Sequence, residues 1–514
     1  MTYYQHNLVS VFSDLASLYP EKAALCYSEK SYSFSEIEKY ANSLAVYLLN
    51  QGCQRGDVIA IAHDKRPLSF ALMIAALRIG VAYVNFDPES PVLRINSIVQ
   101  TCSPKLLFFE NPDYKPVMLQ LVETAECKLV QLDVDVLPLV SNENIRFFSQ
   151  NSKCIDGSTI AYIMFTSGST GTPKGVAVTH QNLLHFIAWG RERFEISERD
   201  NFANLSPMYF DNSVFDFYVG LFNGASISPI CRELLSKPYE LVSYVSERCC
   251  TIWFSVPSAL MYLVAVKAIT PKALSDLRAI VFGGEGYPKV ELKKLFDRFD
   301  GQAKLVNVYG PTECTCICSA YTLGACDFHD LEGLPTLGFL NPNFDHRILN
   351  ENDQDAAEGE LCLIGPNVAA GYFNDNKLSS RAFFTITDAN RYMKRMYRTG
   401  DLVKKIEGKL YFIGRKDNQI KHLGYRIELE EIENALVNFS EVDQAAVIYV
   451  RTTNAYGKLI AFIASSALVD DSALLNSLRS VIPDYMIPSR LIVMESLPKN
   501  ANGKIDKNAL KSSI

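Results

Sequence analysis

This chain of 514 residues lacks any long basic run, and its net charge is −7. A nucleic-acid backbone is therefore not its main partner. It also lacks an apolar run able to span a bilayer. The longest, Phe70 to Val84, is broken by Arg78 and Gly80, which excludes a membrane-spanning role. The start, MTYYQHNLVS, has no basic stretch followed by an apolar one, so no secretory signal is read and a cytoplasmic protein is expected. A disulfide framework is missing too. The 13 cysteines are odd in number and scattered, mostly within apolar runs, as reduced thiols are. Cys314, Cys316 and Cys318 alternate, but no second Cys/His pair lies at ligand spacing, so they are not read as a metal site. On a strand they would share one face and serve as pocket or core residues. No internal repeat and no low-complexity tract breaks the chain.

What is present is a large globular protein, 48% hydrophobic and long enough for several domains. Strand-like and helix-like segments alternate. Asp57 to Ala62 reads as a strand, Pro67 to Ile79 as a helix with a proline start, and Val81 to Asn85 as a strand. Cys250 to Val256 is strand-like and the segment from Pro257 to Ile269 helix-like. Arg278 to Phe282 and Leu305 to Val308 are short β-rich runs ending in turns. The expected fold is α/β: layered subdomains with mostly parallel sheets, and ligand loops at the carboxyl ends of strands. After about Arg415 the pattern changes to helix (Glu428 to Val437), strands (Val442 to Val450, Leu459 to Ala464) and helix (Ser472 to Val481). That predicts a small α+β C-terminal domain, with the division at 1–416 and 417–514.

The densest chemistry lies in Phe165 to Gly175, FTSGSTGTPKG, fed by the apolar run Ile160 to Phe165. Glycines Gly168 and Gly171 let backbone N–H groups turn toward an anion. Thr166, Ser167, Ser169 and Thr170 donate hydrogen bonds, and Lys174 adds a point charge. This suits a nucleoside triphosphate. It is not the common P-loop, because no Gly-Lys-Ser/Thr follows at the required spacing. Taken singly it is a polar surface loop.

The string resembles the phosphate-loop signature of adenylate-forming enzymes, and the resemblance runs almost end to end in family order. It takes in Tyr209-Phe210-Asp211-Asn212-Ser213, Asn307-Val308-Tyr309-Gly310-Pro311-Thr312-Glu313, Gly359-Glu360-Leu361, Tyr397 to Leu402, Gly414-Arg415-Lys416-Asp417, Gly424 to Glu428 and Asn502-Gly503-Lys504-Ile505-Asp506. Leu77 to Asp87 is similar to a further element, with Asn85 where the family usually has proline. Among these enzymes the chain looks most like an amino-acid-activating adenylation domain of nonribosomal peptide synthetases. The resemblance implies ATP and Mg²⁺ as cofactors. Gly284, Glu285, Asn307, Val308, Tyr309, Gly310, Thr312, Asp401 and Arg415 would hold the nucleotide. A carboxamide can read a base edge, a phenol can stack on it, and a carboxylate can accept both ribose hydroxyls. Glu313 would hold Mg²⁺ with phosphate oxygens. Lys504 is the implied catalytic residue, stabilising charge as a carboxylate attacks the α-phosphate. Asp417 stands at the implied hinge, where the small domain would rotate and exchange Lys504 for Gly424 to Glu428.

Asp211 aligns with the aspartate that pairs with the substrate's α-ammonium, and acyl-CoA ligases generally lack it. The implied acid pocket adds Asn212, Phe215, Ser255, Val281, Gly283, Val308, Cys316 and Ile317. With no charged side chain there besides Asp211 and Lys504, a charged substrate side chain would go unpaired, so a neutral one is expected. Ser255 and Gly283 leave volume between apolar neighbours, which favours a medium-to-large hydrophobic amino acid. The expected function is a stand-alone amino-acid adenylation enzyme. The chain ends at Ile514, soon after Lys504, so the phosphopantetheine carrier protein is expected to act in trans. A D-alanine–carrier protein ligase is a close alternative. A non-catalytic nucleotide-binding scaffold on the same fold is an alternative of a different class.

Overall fold

The computed structural model describes residues 6–123, 127–168, 171–388, 392–451, 457–465, 469–500 and 504–514. Its first sheet grows from apolar, β-branched runs. Strands Val58–Ala62, Ala82–Phe86, Leu106–Phe109, Lys128–Gln131 and Ile160–Thr166 pair in parallel. Helices such as Pro67–Ile79 cross between them; this one has proline in its first turn and stops at Gly80, whose φ of 73° suits a left-handed cap. Strand Ile160–Thr166 then turns back on Lys174–Thr179 as an antiparallel pair. The phosphate-loop sequence is the connection between them.

The second sheet has eight strands. At its centre Asn201–Asn204, Ile252–Ser255, Ala279–Gly283 and Lys304–Tyr309 run parallel. The carboxyl ends of all four therefore open on one edge, where ligand-binding loops gather. The expected strands and helices among these match to within a few residues, while Leu106–Phe109, Lys128–Gln131 and Asn201–Asn204 were not foreseen. A third, antiparallel sheet of five strands between Asp345 and Arg415 was not foreseen. Its 15-residue strand Tyr392–Ile406 is rich in Lys and Arg and carries little apolar periodicity to read. The cysteine expectation also needs correction. Thr312–Cys314 is one 3₁₀ turn, and Thr315 and Cys316 both take positive φ, 61° and 71°. Cys314, Cys316 and Cys318 are thus not on a strand, although all three are buried. All 13 cysteines are free thiols.

The C-terminal part has apolar cores of its own. Helices Leu429–Val437 and Asp471–Leu478 pack on strands Gln444–Arg451, Gly457–Ala464 and Arg490–Met494. The chain is thus a mixed α/β protein with parallel sheets and a C-terminal α+β domain. Among the described residues no helix is long and apolar enough to cross a membrane.

One buried cation fastens the strand ends that face the site. The Lys65 ammonium donates to the carbonyls of Asn204, Leu205 and Ile230, at 2.7, 2.9 and 2.9 Å. Burial pulls its pKa down to about 7, with Asp216 and Cys231 opposing. The Leu205 and Ile230 carbonyls accept from this one group, while the Asn204 carbonyl also accepts from the Ile230 amide at 3.2 Å, so Lys65→Met should cost about 3 kcal/mol of stability. Urea unfolding of the variant checks this; an unchanged midpoint would show that the strand ends hold without it.

Candidate active site

Two adjoining cavities open at the carboxyl ends of the second sheet. The first, about 300 Å³, reaches from Thr166 and Asp211 outward to Tyr425 and Tyr485. The second, about 370 Å³, lies over Asn307, Tyr309 and Gly414. Gly284, Val308, Asp401 and Arg415 border both.

The second cavity collects most of the implied nucleotide residues. The Asn307 amide donates to the Thr336 carbonyl at 2.8 Å. The Tyr309 hydroxyl donates to one Asp401 oxygen and the Arg415 guanidinium to the other, both at 2.6 Å. Arg415 also grips Asp417 through two bonds of 2.6 Å. Glu285 accepts from the Ser258 and Gly424 amides, at 2.6 and 3.0 Å.

In the first cavity, Asp211, Asn212, Ser255, Val308, Cys316 and Ile317 line the wall. Phe215, Val281 and Gly283 do not; they lie behind it. The Thr312 hydroxyl, expected at the nucleotide, instead donates to Asp211 at 2.6 Å. Burial pushes the Asp211 carboxyl up, while the Thr312 bond and the fields of Lys421 and Arg426 pull it down. A desolvated carboxyl of this kind gains from a cation placed beside it.

The phosphate-loop residues meet the C-terminal domain directly. Lys174 pairs with Glu428 at 3.1 Å. The Gly168 amide donates to Glu431, whose other oxygen pairs with Arg94. The Ser167 hydroxyl donates to the Arg426 carbonyl at 2.8 Å. Ser169 and Thr170 lie outside the described residues. Gly171 has φ 85° and abuts Asn434. Arg426 reaches back to Glu313 at 2.7 Å, and Glu313's other oxygen accepts from Tyr372 at 2.8 Å. Gly424, φ 82°, brings its backbone against Val256, where a Cβ would come within 2.5 Å of a methyl group. Lys504 borders neither cavity. It is exposed, its amide accepted by Asn500 at 3.1 Å. Asn502 and Gly503 lie outside the described residues.

These residues fit the groups that the sequence implies. The Thr166 hydroxyl is buried with no partner beside Lys174 and Gly168, an orphan donor suited to a phosphate oxygen. No cluster of three or more His, Cys, Asp or Glu side chains among the described residues could hold a metal alone. A single carboxylate shared with substrate phosphates is enough for Mg²⁺, and Glu313 supplies one within the field of Lys174. With the hairpin docked, Arg426 takes that place. Sequence reasoning missed Lys421 and Arg94. Lys421 borders both cavities because it follows Gln419 on one face of the hairpin Gln419–His422/Tyr425–Glu428. That period-2 spacing was the available signal.

Burial alone would raise the Glu313 carboxyl, yet Arg426 and Lys174 outweigh it and hold its pKa at about 2 against an ordinary 4.5. Because the folded value is the lower one, the stabilisation is complete above about pH 4.5 and fades as pH falls toward 2. Removing one partner leaves a buried charge alone, so Arg426→Met should weaken docking of the hairpin by about 3–5 kcal/mol. Hydrogen exchange at neutral pH should then show faster exchange of the hairpin amides, Gln419 to Glu428. Unchanged protection would mean that the pair does not hold the two parts together.

Comparison with known proteins shows the family. The AMP-binding enzyme family model matches residues 12–373, and the AMP-binding enzyme C-terminal domain model matches residues 431–504. Bacitracin synthase 1 of Bacillus licheniformis is 32% identical over 98% of this chain, but the chain spans only 9% of that protein. An L-proline–[L-prolyl-carrier protein] ligase of Pseudomonas fluorescens is 31% identical, covering 96% of this chain and 97% of its own length. The structure of a holo NRPS protein containing adenylation and PCP domains superposes with a TM-score of 0.83 at 25% identity, covering 99% of this chain and 85% of that one. The two family models together cover most of the chain, which belongs to the AMP-binding enzyme family.

Proposed function

We propose that this protein is an ATP-dependent, AMP-forming ligase that activates a neutral amino acid and passes it to the phosphopantetheine thiol of a carrier protein acting in trans. The observation that carries the reading is Asp211, a desolvated carboxyl facing the first cavity beside the phosphate loop. It suits an α-ammonium, and it sets the substrate's carboxylate near the nucleotide cavity. The carrier-protein ligase among the relatives supports the second half.

In the first half-reaction a carboxylate oxygen attacks the α-phosphorus of ATP. The bond from that phosphorus to the β-phosphate bridge breaks, and pyrophosphate leaves. Thr166, Gly168 and Lys174 would bind the leaving phosphates, and Glu313 would hold Mg²⁺, which neutralises their charge. Asn307 and Tyr309 would hold the base, and Asp401 and Arg415 the ribose. Lys504 would enter from the C-terminal domain, turning about Asp417, and steady the charge on the attacked phosphoryl group. In the second half the carrier's thiol loses its proton, its sulfur attacks the acyl carbon, and AMP departs. The arrangement seen here suits that half. Lys504 is outside, Gly424 is against Val256, and the first cavity runs outward past Leu235 and Tyr425, a route for a long thin thiol arm. The proposed domains are 1–416 and 417–514.

ATP–pyrophosphate exchange should therefore require Mg²⁺ and an amino acid. Exchange with fatty or aryl acids alone would overturn the reading. Asp211→Ala should lower kcat/KM for the amino acid by about 10²-fold or more, the scale of 3–5 kcal/mol for an unpaired buried charge. Amino-acid kinetics unaltered in that variant would remove the ammonium role.

A further inference from the structure

The acid end of the first cavity is closed off sooner than its residue types suggest. Phe215 and Val281 are each 0% exposed, so not even a water molecule reaches them. Phe215 lies at the start of a π-helical turn, Phe215–Leu221. Its ring is held edge-on by Phe194, Phe202 and Phe254, at 5.0, 5.4 and 5.4 Å between centroids. Gly283 leaves no room either. A Cβ there would come within 2.4 Å of the Val308 carbonyl oxygen and 2.7 Å of its methyl. The glycine admits the neighbouring strand rather than a ligand. The Ser255 hydroxyl already accepts from the Trp253 indole at 2.8 Å, and Ile317 is 1% exposed. What remains open beside Asp211 is bordered by Asn212, Ser255, Gly310, Thr312, Cys316 and Ile317, with Phe215, Val281 and Gly283 behind them.

A side chain starting from an α-carbon whose ammonium sits at Asp211 meets this floor within a few atoms. A leucine or phenylalanine would have to displace packed aromatic rings, and forcing extra methylenes into a filled core is unfavourable. We propose that the substrate is a small neutral amino acid, of glycine, alanine or serine size, and that Phe215 sets the limit. This rests on the amino-acid reading above and replaces the larger substrate that residue types alone favour.

The test is ATP–pyrophosphate exchange with glycine, L- and D-alanine, L-serine, L-valine, L-leucine and L-phenylalanine. One or more of the first four should exceed leucine and phenylalanine at least tenfold in kcat/KM. Leucine or phenylalanine as the best substrate overturns the proposal. Exchange with none of the panel overturns the size limit, and exchange with no amino acid at all overturns the amino-acid reading with it. Phe215→Ala should raise valine or leucine relative to alanine at least tenfold. A folded Phe215→Ala protein, judged by thermal melting, with the original preference would remove Phe215 as the limiting residue. Should that variant not fold, Phe215→Leu and Val281→Ala open the same floor more gently. Both must shift preference toward valine for the proposal to stand.

Discussion

The site depends on one constraint: cations and carboxylates shut away from water must be neutralised. Glu313 is fully buried and would be costly to leave alone. Here Arg426 neutralises it, while Glu428 answers Lys174 and Glu431 answers Arg94 and the Gly168 amide. The docked hairpin thus offers carboxylates where the phosphate loop would meet a triphosphate, and a guanidinium where Glu313 would meet Mg²⁺. On the proposed reading, hairpin and nucleotide phosphates use the same groups and cannot hold them together. Exchange between them then requires no new unpaired charge, because each leaves the site neutralised for the other.

The fold supplies the rigid side of that exchange. Parallel strands deliver Ser255, Gly283 and Tyr309 to one edge, and Lys65 fastens the strand ends behind Leu205. Close approach is obtained with glycine where the chain demands it. Gly283 lets the strand carrying Val308 press in, and Gly424 lets the hairpin rest on Val256. On the proposed reading the moving side is carried by short polar elements: the hairpin itself and the turn around Asp417, tied locally to Arg415. A packed floor and an ionic interface differ in what they tolerate. The floor admits only what fits, whereas the interface can trade partners.

Much of this was legible in the sequence because adjacent residues carry it. Thr166 to Lys174, Asn307 to Glu313 and Tyr397 to Asp401 are contiguous strings, and the parallel strands announce themselves as apolar runs. What could not be read depends on tertiary placement. Phe215, Val281 and Gly283 are the right residue types for a pocket wall, yet packing by Phe194, Phe254 and Val308 takes them out of it. Lys421 and Arg94 acquire their roles only once the hairpin docks. The third sheet was missed because strands such as Tyr392–Ile406 are too polar to show a buried face.

The central claim is that one site serves two half-reactions by exchanging Lys504 for the Gly424 segment. Single-turnover kinetics of each half-reaction in Lys504→Ala tests it most directly. Aminoacyl-AMP formation should fall by about 10²–10³-fold, the scale for removing one preorganised charge at a developing anion. Transfer from presynthesised aminoacyl-AMP to the carrier thiol should be unchanged. Gly424→Leu, which would strike Val256, should show the opposite pattern. Equal loss of both half-reactions in a folded Lys504→Ala protein would contradict the exchange.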